Sequence, residues 1–386
     1  VPHKTKPPGA SKEDRYLVEA VVRAWRILSV FERAGEQLTL KEIARRARLS
    51  LATAFRLLHT LEHCGAVERS GDRLYRTRVA QVARARYRFG YASEAEDPSF
   101  TQPWNTSIAE ACAAENIELL TYDNAVDSSA AVANVDRMIT DKVHLAIEHQ
   151  LNDRAAPVVA HKLARAKIPL IAMGAAHPGA IYFGGDNYQA GLLGGRALGE
   201  FAKRRWKGRA QQLLLIELES GGPLLASRVK GMECGLLEVL PEFDLTRVVR
   251  LPSSGLYGAT LQLMREHLAR TRARRILVGA VNDPCALGAL RALEESGWEE
   301  DCAVVGQGGS VEGRQELRRP GTRLIGTVAF FGETYGSQIV RIALDLLAGK
   351  AVPPAVFVNH CLLTRANVDH YYPNDTLLAQ RPVRLD

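Results

Sequence analysis

The sequence predicts an α/β protein: a small winged helix-turn-helix at the N-terminus, then two doubly wound parallel-sheet lobes. Three observations carry this. Residues 38–65, LTLKEIARRARLSLATAFRLLHTLEHCG, read as two helices joined by a short turn. The run AVERSGDRLYRTR after them reads as a β-hairpin. From residue 86 onward short apolar strands alternate with helices, in two successive groups.

Taken in order, residues 1–14 (VPHKTKPPGASKED) are polar and rich in Pro and Lys, and read as a flexible tail. They hold no basic stretch followed by an apolar core, so no secretory signal is expected. No apolar run approaches the ~18 residues a membrane span needs, so no membrane partner is expected. The winged domain is placed at 15–80. Its first helix, Val21–Arg33, carries Val22, Trp25, Ile27 and Leu28 to cover the helix pair. Thr39 and Glu42 have the spacing of a capping box, in which hydroxyl and carboxylate each satisfy a free backbone N–H. Ser50 suits an N-cap of the second helix of the pair, and Gly65 its C′ stop. Ala54, Leu57, Leu58 and Leu61 make its buried stripe. Ser50, Thr53 and Arg56 then lie on its free N-terminal side, where phosphates and base edges are met. The hairpin turns at Ser70–Gly71–Asp72 and carries Arg69, Arg73, Arg76 and Arg78.

Strands follow at 86–93, 117–124, 143–150, 168–174 and 180–187, with helices Asn105–Glu115, Ala130–Thr140 and Ala156–Lys167 between them. After a long helix, Gln189–Lys203, the rhythm restarts with strands at 211–220, 247–254, 275–283, 302–309 and 324–330. Apolar strands alternating with helices indicate parallel sheets with covered faces. Such sheets bind ligands at the carboxyl ends of their strands, here between two lobes.

Charge is uneven. The net charge is +7, yet residues 1–90 hold 19 Lys/Arg against 9 Asp/Glu, which leaves 31 against 34 in the remainder. Basic excess confined to one small domain is the footprint of a phosphate-backbone binder. The six cysteines (Cys64, Cys112, Cys234, Cys285, Cys302, Cys361) are scattered and include no CxxC. They fit a reducing cytoplasm better than disulfides or zinc. His59, His63 and Cys64 could be drawn as a metal cluster, but they fall on the second helix of the pair, and no metal is expected there. No P-loop, GxSxG elbow, HExxH or strand-borne GxGxxG is present, so neither an enzyme nor a cofactor is expected.

Residues 16–80 resemble the DNA-binding domain of IclR-type transcription regulators, and EIARRARLSLATAFRLLHTLEHCGAVER follows that pattern almost throughout. Two positions depart. Arg48 stands where the family usually has the turn glycine, which predicts a strained φ > 0. Leu51 stands where a polar or basic residue often faces DNA. Without the matching context, three helices could equally serve protein contacts. Residues 86–370 resemble type I periplasmic binding proteins and the effector domains of LacI-type repressors. The matching runs are IPLIAMG…IYFGGDNYQAG, SRVKGMECGL, VNDPCALGALRALEESG, VVGQGG and RLIGTVAFFGETYG.

The resemblance places this domain at 81–386, with one lobe at about 86–187 and 328–352 and the other at about 188–327 and 353–386. It also implies which ligand positions are kept. Asn282 and Asp283 match the family's Asn-Asp pair. Gly174 and Ala175 replace the Asp and Arg of pentose binders, Ala226 replaces a ligand-binding Arg, and Arg228 matches a nearby structural Arg. Gly308 replaces an Asp and Phe330 an amide. With that polar cage reduced, the candidates for ligand contact are Trp104 in the loop after the first strand, Glu148 and Asn152 after the third, His177 after the fourth, Glu219, Asn282, Gln307, and Phe330 or Phe331. Aromatic rings flanking a flat ligand are a common mode for sugars and purines.

The expected function is a cytoplasmic, ligand-responsive regulator. Its partners would be double-stranded operator DNA, through Ser50, Thr53, Arg56, Arg69 and Arg73, and a small-molecule effector of carbohydrate type between the lobes. A homodimer is expected, because two recognition helices read two half-sites. Residues 79–88 would transmit the change. The rival readings are a transport-type solute-binding protein, which has no use for residues 16–80, and an enzyme with a regulatory domain, which lacks a catalytic constellation.

Overall fold

The computed structural model describes residues 18–31, 36–71, 73–78, 85, 87–93, 98–150 and 154–375, and it divides into two units after Arg86. The expected tail 1–14, the end of the first helix, Asp72, most of the 79–88 connector and Asn152 lie outside the described residues.

The N-terminal unit comprises α1 (Glu19–Leu28), β1 (Leu38–Thr39), α2 (Leu40–Ala47), α3 (Leu51–His63), β2 (Val67–Ser70) and β3 (Leu74–Thr77). Its strands form an antiparallel sheet in the order β1-β3-β2. Thr39 does two jobs: it ends β1 and caps α2. Its hydroxyl accepts from the Glu42 N–H at 3.3 Å, and its own N–H donates to the Glu42 carboxylate at 2.8 Å. Arg48 takes the left-handed conformation, φ 54°, at the turn between α2 and α3. Ser50 accepts from the Thr53 N–H at 3.2 Å, and Gly65 turns the chain at φ 72°. The core holds Ile27, Phe31, Ile43, Ala54, Leu58, Val67 and Tyr75. Trp25 does not join it and is 61% exposed. The cover expected from Trp25 comes instead from Ile27, Val30 and Phe31, because the covering segment continues past α1 into residues 29–31.

The C-terminal unit runs β4 (Tyr87–Ser93), α4 (Pro98–Ala114), β5 (Ile117–Asp123), α5 (Ser128–Thr140), β6 (Leu145–Gln150), α6 (Ala156–Arg165), β7 (Leu170–Gly174), β8 (Ile181–Gly185), α7 (Asn187–Trp206), β9 (Gln212–Leu218), α8 (Gly222–Val239), β10 (Val248–Ser253), α9 (Tyr257–Arg270), β11 (Ile276–Ala280), α10 (Asp283–Glu295), β12 (Cys302–Gly308), α11 (Val311–Arg318), β13 (Leu324–Ala329), α12 (Tyr335–Leu347), β14 (Ala355–Val358), β15 (Cys361–Leu363) and α13 (Val368–Tyr371). One sheet has the order β14-β8-β7-β6-β4-β5 and is parallel throughout. The other, β10-β9-β11-β12-β13-β15, is parallel except for β15. Each winding reverses beside its first strand, between β4 and β6 and between β9 and β11. Those reversals are the switch points where crevices open.

The chain passes between lobes at Asp186, at 330–334 and at 359–360. The last passage corrects the expected division: residues 355–358 pair with β8 in the first lobe and only the chain beyond them returns to the second. The segment is four residues long behind Pro353–Pro354, too short for its alternation to register as a strand. Helix α4 also begins earlier than expected, so Trp104 lies on a helix and not in a loop.

Helices α7 and α8 pack backbone to backbone. A Cβ on Gly191 would lie 2.0 Å from the Arg228 carbonyl, and one on Gly195 2.0 Å from that of Met232. Gly231 and Gly235 answer from α8. This contact fixes Arg228, on α8, beside the start of α7.

Candidate functional site

Two regions hold the candidate residues. On α3 the buried face is Ala54 and Leu58, with Leu57 and Leu61 half-buried; Ala52, Arg56, His59, Thr60 and His63 are exposed away from it, and Leu51 and Phe55 are exposed at its edge. The Ser50 and Thr53 hydroxyls lie 2.9 Å apart, and Ser50 also caps the helix, so both are engaged locally. Arg56 and Arg73 are exposed and make no ion pair among the described residues. Arg69 pairs with Glu62 at 3.4 Å and lies over the Tyr75 ring at 5.4 Å. Arg76 and Arg78 both bond Glu68, whose carboxyl they hold below its usual range. The hairpin is thus less positive than its arginine count suggests. No group of three metal-ligating side chains is found among the described residues, at His59, His63 and Cys64 or elsewhere.

In the C-terminal unit the candidates divide into clusters. Glu148, in β6, is fully buried; its Oε1 accepts from Asn124 at 2.9 Å and Gln150 at 2.6 Å. Asn134 in turn donates to Asn124 Oδ1 at 2.9 Å. Trp104 stacks on Tyr335 with ring centres 5.9 Å apart and meets His149 edge-on at 5.4 Å. His177 is buried: Nδ1 lies 3.0 Å from the Ala175 carbonyl, Nε2 has no partner among the described residues, and burial pushes its pKa below the usual 6.5. The Glu219 side chain lies outside the described residues.

Around the crossings between lobes the structure gathers a second cluster. Arg228 donates from Nε and Nη2 to Asn187 Oδ1 at 3.0 and 2.6 Å, and from Nη1 to the Val281 carbonyl at 2.7 Å. It forms no ion pair among the described residues, and burial pulls its pKa down to about 10 against the facing Tyr335, Tyr182 and Asp283. Its guanidinium lies 4.7 Å from the Phe330 ring centre, a cation–π distance. Phe330 meets His360 edge-on at 4.9 Å. Gln307 donates to the Ala190 carbonyl at 3.1 Å, one turn from Asn187, and its Oε1 has no partner among the described residues. Phe331 points away, against Tyr371 and Tyr372.

Asn282 caps α10. Its Oδ1 accepts from the Cys285 N–H at 2.9 Å and its Nδ2 donates to the Gly255 carbonyl at 2.8 Å. Asp283 is wholly buried, bonded by Thr327 at 2.5 Å and by the Ser310 N–H at 2.6 Å. A hollow of about 560 Å³ opens at the carboxyl ends of β9 and β10, lined by Ser220, Pro252, Ser253, Ser254, Ala259 and Leu263. It takes in none of the side chains singled out from the sequence. Sequence reasoning treated Arg228 as structural and omitted Tyr182 and His360. The available signal was the position of Arg228 three residues before Gly231, in the stretch that packs on α7.

The family model of the periplasmic binding protein domain matches residues 89–351. The chain belongs to that family. Residues 20–71 match the IclR helix-turn-helix domain, so a DNA-binding type of domain precedes the binding-protein domain in one chain. The ribose import binding protein of Salmonella typhimurium is 26% identical over 238 residues, covering 61% of this chain and 76% of that protein. An ABC transporter solute-binding protein from Bacillus halodurans, solved with myo-inositol, superposes with TM-score 0.63 at 23% identity over 76% of this chain and 99% of its own. The 5-methylthioribose transporter solute-binding protein of Thermotoga lettingae gives TM-score 0.65 at 17% identity, over 77% and 92%. No helix among the described residues is long and apolar enough to cross a membrane.

Proposed function

We propose that the chain is a DNA-binding transcription regulator whose operator affinity is set by a sugar or sugar-like effector held between the two lobes. The observation that carries this reading is the union of an IclR-type helix-turn-helix with a binding-protein domain in a single chain. The N-terminal unit would place α3 in the major groove, with Arg56 at the bases and Arg69 and Arg73 toward phosphates. The binding-protein domain would close on the effector near Arg228, Phe330, Gln307 and Asn282 from one side and Trp104, Glu148 and His177 from the other. The ribose import binding protein supports a carbohydrate class for the effector. Closure can change DNA affinity only if the effector binds the DNA-competent and incompetent states unequally. We place the protein in the cytoplasm as a homodimer on a two-fold operator.

The deciding experiment uses the full chain. Duplexes selected from a random pool are titrated with and without ribose, D-allose, myo-inositol and 5-methylthioribose, while calorimetry measures sugar binding. An enriched motif whose affinity shifts with one bound sugar is the expected result. Sugar binding without any enriched motif would leave a solute-binding protein, the class to which the named relatives belong.

A further inference from the structure

We propose that Leu51 and Phe55 read the C5-methyl groups of thymines in the major groove; the inference rests on the DNA-binding reading above. Both are large apolar side chains left in water, 49% and 46% exposed. They stand one turn apart on α3, at its first and fifth positions, and share the open face with Arg56 and His59. Around the helix they border the buried stripe of Ala54 and Leu58, yet about half of each side chain stays in water while that stripe is fully buried.

Their position selects the occupant. The N-terminal turns of a recognition helix are the part that meets base edges. In the major groove those edges present hydrogen-bond donors and acceptors, with one apolar exception, the thymine methyl. A leucine or phenylalanine over a guanine edge would strip water from N7 and O6 and return nothing. Over a thymine methyl, both surfaces leave water together. The polar side chains nearest the helix start are committed elsewhere: the Ser50 and Thr53 hydroxyls bond each other and the helix backbone. Direct readout at this end therefore falls to the apolar pair, with Arg56 beside it as the cation. Arg48, left-handed at φ 54°, and the Ser50 cap lead the chain into the turn of α3 that carries Leu51.

The test replaces thymine by uracil, which pairs identically and lacks only the methyl. The full-length chain is titrated with duplexes selected from a random pool, then with the same duplexes carrying uracil at one thymine at a time. At two or more positions per half-site, affinity should fall about threefold to fivefold, the worth of one buried methyl. Phe55→Ser and Leu51→Ser should each bind the thymine duplex more weakly and lose the difference at one position. Arg56→Ala should keep it. Equal binding of thymine and uracil duplexes, with the motif still preferred over random DNA, overturns the methyl contact and leaves DNA binding standing. So does uracil sensitivity that survives in both serine variants, or serine variants that change only the mass in solution, which would make the pair a contact between copies. Failure to enrich any motif removes the DNA-binding reading itself.

Discussion

The open face of α3 and the crossings between the lobes keep their functional groups in opposite states. On α3 Arg56, Leu51 and Phe55 are exposed, and Arg56 makes no ion pair among the described residues. In the two lobes several of the polar side chains singled out are buried and already bonded: Glu148 to Asn124 and Gln150, Arg228 to Asn187 and Val281, Asp283 to Thr327 and Ser310. A helix that docks on DNA from outside can keep idle side chains ready, held only by caps. A site that closes over a small molecule cannot, because each buried polar atom without a partner costs about 1–3 kcal/mol. The atoms left for a ligand are the few unspent ones, such as Gln307 Oε1 and His177 Nε2.

The contrast is broken most strongly at the backbone contact between α7 and α8. Gly195→Val places side-chain atoms against the Met232 carbonyl, which cannot retreat without parting the helices. We expect a loss of about 3 kcal/mol or more in the C-terminal unit. In a melting experiment on the full chain its transition should fall while that of the N-terminal unit holds. A joint fall would show that the two units share stability.

Next in size is Arg228→Met. It removes three donated hydrogen bonds and the cation over Phe330, leaving Asn187 Oδ1 and the Val281 carbonyl buried without them. Effector affinity should drop by about tenfold to a hundredfold, or ~1–3 kcal/mol, with operator affinity of the ligand-free protein unchanged. Calorimetry beside a DNA titration reads both. A lowered melting point with intact effector affinity would make Arg228 a brace for α7 and nothing more.

Asn282→Ala separates capping from ligand contact at a third position. Both ends of its amide are taken, by Cys285 and Gly255, so the expected cost is about 1 kcal/mol of stability. The effector dissociation constant should move by less than the Arg228 change moves it. A larger loss of affinity than of stability would make ligand contact the greater part of its role.

What the sequence disclosed follows the same divide. The N-terminal unit is held by short-range chemistry: Thr39 with Glu42, Ser50 with Thr53, Gly65 after α3. Each is legible because the partners are three or four residues apart. The alternation of strands and helices disclosed both sheets for a similar reason. The cluster around the crossings between the lobes is built from distant pairs: Arg228 with Asn187, Phe330 with His360, Ser107 with the Glu333 carbonyl. No spacing rule reports such contacts. Asn282 shows both kinds of contact, since an asparagine ahead of Asp-Pro is also a helix cap, and its Oδ1 makes that local bond while its Nδ2 reaches the distant Gly255 carbonyl. Trp25 lies in water where the helical period predicts burial, while Val30 and Phe31, past the end of α1, are buried.

The smallest expected effect is a pH dependence, and it belongs to three buried or half-buried histidines of the C-terminal unit. Burial lowers the pKa of His177, His267 and His360 in the folded chain below the ordinary 6.5. For His177 the Ala175 carbonyl beside Nδ1 opposes this without cancelling it. The folded state therefore binds fewer protons than the unfolded chain once the pH falls to about 6.5. Above that value the imidazoles are neutral in both states and stability is independent of them. Below it the unfolded chain gains protons that the folded one refuses, so stability declines until the folded pKa is passed. The melting temperature of the C-terminal unit should thus hold from pH 8 to 7 and fall from pH 6.5 downward. His177→Gln, which keeps a polar group beside the Ala175 carbonyl and cannot titrate, should flatten that fall in part, and adding His267→Gln should flatten it further. A decline equally steep in the double variant would assign it to carboxylates, and one that starts only below pH 5 would mean the histidines are solvated. A bound effector oxygen that accepts a hydrogen bond from protonated His177 Nε2 would raise the folded pKa and reduce the fall, which ties this small effect back to the proposed site.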